Sequence, residues 1–395
     1  MSHLTDEPCD LCDSNHLDLA YEPEGSTRGL KVYLCETCGL LQSLPRIDHS
    51  PRRPASVSAG ADWGNVRYGK GFRTKDNLQT IIDHCQLPDA PQILDVGSNR
   101  GTFLKHAAEQ WSDAEVTAIE PDERLWDDYS NLPHDTLHKA RLEETNLPDN
   151  QFDLIYSCHT IEHLPSVSHA LADHARTLKP GGWLFLEGPN IDLLGADDIV
   201  EEWFIDKHLY HFSASTLRLV TEKAGLSVFW ASSPDDLTNV AVLARKDEPI
   251  TGTIDPKEAT RVHQLVKAYC HSRTENIAAL TEVAQFIQGN GDETTTVWGA
   301  GRLLNSLMVH GGLDPRGLQG LIDAHLIKHQ SEIGGATLHA PEELSKLNPD
   351  RIVVASRVFF DEIKGQANNL APDAEVISLA DLMSRARAGT LKATG

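Results

Sequence analysis

The chain has 395 residues, enough for two or three domains with cores of their own, and its 40% hydrophobic content is ordinary for a globular protein in water. Its 35 Lys and Arg against 58 Asp and Glu give a formal charge of −23 at pH 7, which disfavours a nucleic-acid partner, since such binders present a basic face to phosphates. No apolar run reaches the roughly 20 residues of a membrane span, and MSHLTDEPCD has neither the basic start nor the apolar stretch of a secretion signal, so a cytoplasmic protein without a membrane partner is expected.

The first 50 residues carry two matched pairs, CDLC at Cys9 and Cys12 and CETC at Cys35 and Cys38, separated by 22 residues. Two such pairs offer four thiolates to one tetrahedral zinc. LKVYLC before the second pair predicts a short strand, and Gly39 stands where a knuckle needs an open backbone turn. Disulfides, an iron–sulfur centre and a redox dithiol are the competing readings. A reducing compartment weighs against the first, and a redox site would need one pair leading a helix. The expectation is a zinc-ribbon-like module over 1–50 whose zinc is structural, because four-cysteine sites are closed. Cys85, Cys158 and Cys270 read as ordinary buried or half-buried thiols.

RIDHSPRRPASVSAGAD, residues 46–62, is rich in Pro, Ser and Ala. A linker and lid segment is assigned to 51–74, with Tyr68 and Arg73 as groups able to face a ligand or lie on the surface. An amphipathic helix follows. QILDV then predicts a strand, GSNRG a tight turn and TFLKHAAEQ a helix. This unit aims backbone N–H groups and a helix dipole at a ligand. Its spacing, D-x-G-x-x-x-G from Asp95, differs from the dinucleotide fingerprint G-x-G-x-x-G. AEVTAIEPD predicts a second strand ending at Glu120 and Pro121. An acid at that position accepts hydrogen bonds from ribose hydroxyls; the alternative is a solvated loop acid. RLEETNLPDN is an acid-rich loop, FDLIYS a strand, and HALADHARTLKPGGWLFLEGPN a helix, a Lys-Pro-Gly-Gly turn and a strand.

LDVGSNRGTF, AIEPD, LPDNQFDLIYSCHTIEHL and LKPGGWLFLEGPN together resemble class I S-adenosylmethionine (SAM)-dependent methyltransferases over roughly residues 75–246. The resemblance implies that Asp95, Gly97, Ser98, Asn99 and Gly101 line the methionine side of the cofactor. It implies that Glu120, with Pro121, holds the ribose, that Leu142 and Glu143 border the adenine, and that His159 lies beside the cofactor. Methyl transfer from a sulfonium is an in-line displacement, so the protein must align donor and acceptor and remove a proton where the nucleophile carries one.

Beyond this core, EEWFIDKHLYHFSASTLRLVTEKAGL places Lys207, His208, Tyr210 and His211 together, then a helix capped near Ser213. Neutral imidazoles beside a cofactor pocket suit substrate deprotonation. His208 and His211 are the candidate bases, with Tyr68 as a further catalytic group and Tyr210 and Lys207 as substrate-binding groups. The bland alternative is aromatic core packing with satisfied histidines. A long helix over about 257–289 leads to TTTVWGAGRLLNSLMVHGGL, a second strand, glycine turn and helix. Asp323 follows the next strand. Residues 250–395 therefore read as a C-terminal Rossmann-like α/β domain holding a nucleotide or sugar phosphate at Gly299, Gly301 and Asp323, or packing without a ligand.

The order of cysteine module, methyltransferase core and VWGAG…IDA…IGG unit resembles the sugar C-methyltransferases that act on nucleotide-linked keto-deoxysugars. That resemblance spans nearly the whole chain. It implies a cysteine module covering the substrate, a C-terminal unit helping to hold the nucleotide diphosphate, and a base forming an enolate at a carbon next to a ketone. Two departures stand out: Arg100 replaces an Asp of GSNDG, and Ile205, Asp206, Lys207 and His208 stand where the family has Tyr-x-Glu-His. Methylation of a sugar or natural-product hydroxyl, in secondary-metabolite or surface-polysaccharide biosynthesis and with His208 or His211 as base, is therefore the alternative. The expected fold class is α/β, a Rossmann-like methyltransferase core flanked by the two modules. The expected cofactors are SAM and structural Zn2+, the expected partner is a small molecule, most simply a nucleotide-linked sugar, and the expected state is monomer or homodimer. RNA or protein methylation, with the cysteine module as a recognition domain, is a third reading, and the charge argues against RNA. A non-catalytic nucleotide-binding scaffold remains as a reading from another class.

Overall fold

The computed structural model describes residues 7–23, 26–46, 72–197, 199–200, 202–247, 252–289, 293–328, 330–356 and 359–391. Tyr68 and the linker before residue 72 lie outside the described residues. The chain divides into two compact units: the described residues up to Leu194 and from Trp203 to Val266 form the first, and Gly195 to Glu202 with Lys267 onward form the second.

The first unit begins with three antiparallel strands, β1 (Leu17–Tyr21), β2 (Lys31–Cys35) and β3 (Leu41–Leu44). The CETCG turn closes by a bond from Gly39 N to Cys35 O. Gly39 has φ +79° and a Cβ there would lie 2.5 Å from Glu258 Cγ, so both conformation and space require glycine.

The central sheet follows. Helix α1 (Phe72–His84) precedes β4 (Gln92–Val96), α2 (Thr102–Gln110), β5 (Glu115–Ile119), β6 (Thr136–His138), β7 (Phe152–Cys158), α3 (Val167–Thr177) and β8 (Leu178–Pro189). Next come β9 (Tyr210–His211), α4 (Ala214–Lys223), β10 (Ser227–Ala231), β11 (Asn239–Arg245) and the long α5 (Glu258–Gln288), within which the two units divide. The sheet order is β10-β11-β8-β7-β4-β5-β6. β4 to β8 are parallel and β11 and β10 antiparallel. Strands covered on both faces must be apolar nearly throughout, and Ile93, Leu94, Leu154, Ile155, Leu184 and Phe185 are buried. Strand order reverses between β4 and β7, so their carboxyl ends open the crevice where such sheets bind ligands.

The expected Lys-Pro-Gly-Gly turn is instead part of β8. Gly181 N donates to Lys246 O and Lys246 N to Gly182 O, so the ladder runs through it. A local composition signal for a turn is overridden here by a neighbouring strand that satisfies its backbone.

β9 does not pair with the central sheet. It adds a fourth strand to the cysteine module, with Leu41 opposite His211 and Gln42 opposite Tyr210. Ser43 N donates to Leu209 O at 2.7 Å. Asp10 accepts from Ser166 Oγ at 2.7 Å and Ser168 N at 2.9 Å, at the start of α3, where a carboxylate meets the helix dipole favourably. Asp206 accepts from Ser26 Oγ and from both Thr27 N and Thr27 Oγ1.

The second unit has a sheet of order β14-β15-β13-β12-β16-β17, built from β12 (Thr295–Trp298), β13 (Gly320–Ile322), β14 (Glu332–Ile333), β15 (Ala336–His339), β16 (Arg351–Val354) and β17 (Glu375–Ser378). All but β14 are parallel. Helices α6 (Arg302–Val309), α7 (Leu344–Leu347), α8 (Phe360–Leu370) and α9 (Leu379–Arg387) complete it. This is a second doubly wound unit, with its own switch point at β12.

The β3–β9 seam carries a buried side-chain bond, Ser43 Oγ to His211 Nε2 at 3.1 Å. Removing the hydroxyl leaves a buried imidazole nitrogen without its partner. Ser43→Ala is expected to lower stability by about 1–3 kcal/mol, read as an earlier midpoint in chemical denaturation. An unchanged midpoint would show that the seam does not depend on this bond.

Candidate active site

The glycine turn after β4 sits at the switch point. Gly97 has φ +73°, and a Cβ on it would lie 2.3 Å from Thr160 Oγ1, so the turn meets the end of β7 at a distance only glycine permits. Asn99 and His159 also adopt positive φ, +48° and +50°, conformations uncommon outside glycine and concentrated at functional sites. Asn99 N donates to Glu120 Oε2 at 2.6 Å and Asp122 N to Glu120 Oε1 at 2.7 Å. The acid after the second strand thus holds the turn after the first. Tyr129, which the sequence reading did not single out, donates its hydroxyl to Asn99 O and lies 2.6 Å from Ser98 Oγ.

Asp95 is 2% exposed, and its Oδ2 has no hydrogen-bond partner among the described residues. Burial, and then the nearby Glu120, push its carboxyl well above the usual range. Burial likewise lifts Glu120 to about 7. Pro121 follows on the half-buried loop, Leu142 is buried, and Glu143 is exposed. An unsatisfied buried acid beside a donor-rich turn is the pattern that a cationic, hydroxyl-bearing ligand completes, so Asp95 and Glu120 fit SAM, with its ammonium group and ribose hydroxyls.

The end of β7 carries a denser cluster than the sequence reading assigned. His159 Nε2 lies 2.9 Å from Asn239 Oδ1 and 3.4 Å from Glu187 Oε1, and its Nδ1 is 3.5 Å from Glu162 Oε1. Burial alone would push His159 down, but Glu162 and Glu187 lift it to about 9. Arg73 Nε lies 3.2 Å from Glu187 Oε1, and Cys158 Sγ donates to the same oxygen. Cys158 is therefore part of the polar cluster and not simple filler. Glu162 is fully buried. Burial would raise its carboxyl, but the imidazoles of His163 and His159 bring it far below the usual range.

The residues around 208 divide. His208 lies with the β7 cluster, its ring centroid 4.8 Å from that of His163. Burial and then His163 hold it well below the usual imidazole range. His163 Nδ1 donates to Lys207 O at 2.7 Å, so the Lys207 backbone is part of the site. His211 departs from the expectation of a base facing substrate: it is 3% exposed, is spent on Ser43, and burial lowers it to about 3. Tyr210, expected on the substrate, is 1% exposed and donates its hydroxyl to Pro165 O. Both follow from β9 belonging to the cysteine module, a non-local pairing that no window of sequence reveals.

Gly299, Gly301 and Asp323 lie in the second unit. Gly299 has φ +107° and donates its N–H to Ile322 O, and Gly301 caps α6. Asp323 accepts from Ala300 N, His325 N and Leu326 N. Its carboxylate holds the turn as Glu120 does in the first unit.

In the cysteine module, the four Sγ atoms lie within 4.8 Å of one another. Cys9 and Cys38 are 3.6 Å apart and Cys12 and Cys35 3.5 Å apart. These separations far exceed the roughly 2.05 Å of a disulfide. They approach the S···S edge of about 3.8 Å implied by a tetrahedral Zn–S bond of about 2.3 Å.

Residues 72–229 match the family described as a methyltransferase domain. Methyltransferase Str3 of Strobilurus tenacellus is 28% identical over 153 residues, which are 36% of this chain and 50% of that protein. An uncharacterized methyltransferase of Schizosaccharomyces pombe is 28% identical over 170 residues, 40% of this chain and 60% of that protein. The chain thus spans between half and three-fifths of the length of these curated relatives. The crystal structure of a SAM-dependent methyltransferase from Aquifex aeolicus has 19% identity and a TM-score of 0.38, covering 47% of this chain and 97% of that one. The expectation of a class I SAM-dependent methyltransferase domain with a Rossmann-like α/β fold holds for this stretch. Among the described residues no helix is long and apolar enough to cross a membrane.

Proposed function

We propose that the chain transfers the methyl group of SAM to a small polar acceptor seated against the β7 cluster. One observation carries this reading: at the switch point of a methyltransferase domain, the β4 turn, Glu120 after β5 and the imidazole cluster after β7 all stand at carboxyl ends of adjacent strands. SAM, when bound, supplies a methyl group made electrophilic by a sulfonium. Asp95 and the turn Gly97, Ser98, Asn99 and Gly101 would hold its methionine end. Glu120 and Pro121 would hold the ribose, Leu142 and Glu143 would border the adenine, and His159 would face the cofactor. His208 is the sequence-assigned base that stands at the cluster.

The acceptor is assigned to the nucleotide-linked sugars because the chain pairs this domain with a cysteine module and a second doubly wound unit. Within that unit, Gly299, Gly301 and Asp323 are the candidate holders of a nucleotide or sugar phosphate. Residues 205–208 bear on the site of methylation, because Ile205 and Lys207 stand where the sugar C-methyltransferases have the Tyr and Glu of Tyr-x-Glu-His. That favours transfer to a hydroxyl. The test is incubation with SAM and a panel of nucleotide-linked sugars, 4-keto-6-deoxy forms included, read by mass spectrometry. Gain of one methyl on oxygen supports this assignment, and gain on carbon with loss of a carbon-bound proton moves it to C-methylation. Failure to bind S-adenosylhomocysteine or consume SAM sinks the methyltransferase reading.

Glu120 gives a pH signature. Its ionised form is the stronger acceptor for ribose hydroxyls, and its pKa near 7 means that the ionised form grows as pH rises through that value. S-adenosylhomocysteine is expected to bind roughly tenfold more tightly at about pH 8 than at about pH 6, and Glu120→Gln should flatten the dependence in isothermal titration. An equal slope in the variant would remove Glu120 from the ribose.

The four cysteines are assigned one structural Zn2+. Elemental analysis of the purified chain is expected to find this zinc, and Cys35→Ser to lose it with a fall in thermal stability. Unchanged zinc content in that variant overturns the assignment.

A further inference from the structure

We propose that Glu162, His163 and His208 hold a divalent transition-metal cation that binds the acceptor oxygen. The inference rests on the methyltransferase reading for its chemistry but not for its geometry. One ligand atom from each of the three residues lies within 4.8 Å of the others. Lys207 O can only accept, so the 2.7 Å contact places the proton of neutral His163 on Nδ1. The other nitrogen, Nε2, then presents a lone pair to Glu162 Oε1 at 3.7 Å. Two acceptors facing each other repel unless a cation lies between them.

Glu162 sharpens the point. Its side chain is fully buried, and neither oxygen has a hydrogen-bond partner among the described residues. His159 Nδ1, 3.5 Å from Oε1, gives one long ion pair, which leaves the hydrogen-bond capacity of both oxygens unused. Buried carboxylates are paired, hydrogen-bonded or bound to metal. The backbone fixes the third ligand: Leu209 N donates to Glu162 O at 2.7 Å, which sets His208 beside the carboxylate. The hydrogen bond from His163 to a backbone carbonyl is the outer support by which metal-bound imidazoles keep their tautomer. His163 and His208 are only partly buried, which leaves the cluster open to an acceptor.

Two imidazoles and one carboxylate suit first-row divalent ions and leave coordination positions for substrate oxygen. The substrate class is therefore a hydroxyl acceptor, best a vicinal diol able to chelate. Bound to the cation, the hydroxyl loses its proton to water more readily, and His208 then serves as a ligand in place of the base assigned to it above. Its oxygen pair then forms the O–CH3 bond, the S–CH3 bond breaks, and that electron pair stays on sulfur, turning the sulfonium into a neutral thioether.

The test is Mn2+ titration of the full-length chain followed by electron paramagnetic resonance, because four thiolates favour zinc and leave manganese to the N/O site. One bound equivalent is expected, with affinity lowered at least tenfold in Glu162→Gln and, independently, in His208→Gln. Each variant is checked for folding by circular dichroism. Wild-type protein that leaves Mn2+ free overturns the proposal, as does binding that neither folded variant weakens. S-adenosylhomocysteine binding is measured alongside. Nucleoside binding without Mn2+ sinks the metal site alone, and Mn2+ binding without nucleoside sinks the methyltransferase reading alone.

Discussion

The first unit depends on one seam. The two residues of β9 leave the methyltransferase sheet behind and complete the sheet of the cysteine module, paired to β3. The backbone bonds on either side of Leu209 carry the consequence. Its carbonyl accepts from Ser43 in the module, and its N–H donates to Glu162 at the end of β7. A single residue thus ties the module, the post-core segment and the polar cluster together. Asp10 at the start of α3 and Asp206 on Ser26 and Thr27 reinforce the same join with carboxylates that accept several donors each. The cysteine module therefore meets the site through the backbone of Leu209, and among the described residues it contributes no side chain to the cluster after β7.

Two doubly wound units in one chain use the same device at their switch points. In each, an acid just after the second strand accepts a backbone N–H from the glycine turn of the first, Glu120 from Asn99 and Asp323 from Ala300. The acid fixes the conformation of the turn. The units differ in what stands across the switch point. The first gathers two buried carboxylates, Glu162 and Glu187, three imidazoles and Arg73 of α1 around the end of β7. Asp323 in the second is already satisfied by three backbone donors.

The chain is strongly acidic, and its candidate site sets buried acids against imidazoles and an arginine. Glu162 and Glu187 are each buried among partners that favour their ionised forms. Such arrangements are costly in a low-dielectric interior and persist where something specific is to be bound.

Much of this was legible in the sequence. The four cysteines and their spacing, the strand–turn–helix at QILDVGSNRGTFLKHAAEQ, the acid at 120, the helix cap at Ser213 and the second glycine turn at Gly299 are local signals. Each is carried by a short stretch whose backbone conformation or ligand chemistry depends on the residues themselves. CHTIEHL also held a signal that was read only for His159: an acid and a histidine, Glu162 and His163, adjacent at the end of a buried strand. Only the tertiary structure decided which histidine after residue 207 meets them. His208 and His211 are equivalent by composition, but β9 pairs with β3, burying His211 on Ser43 and leaving His208 at the cluster. The same pairing removed Tyr210 from the substrate side, and strand β11 kept the Lys-Pro-Gly-Gly stretch in the ladder. These outcomes rest on hydrogen bonds between segments up to about 170 residues apart, set by which backbone groups remain unsatisfied once the sheets have formed.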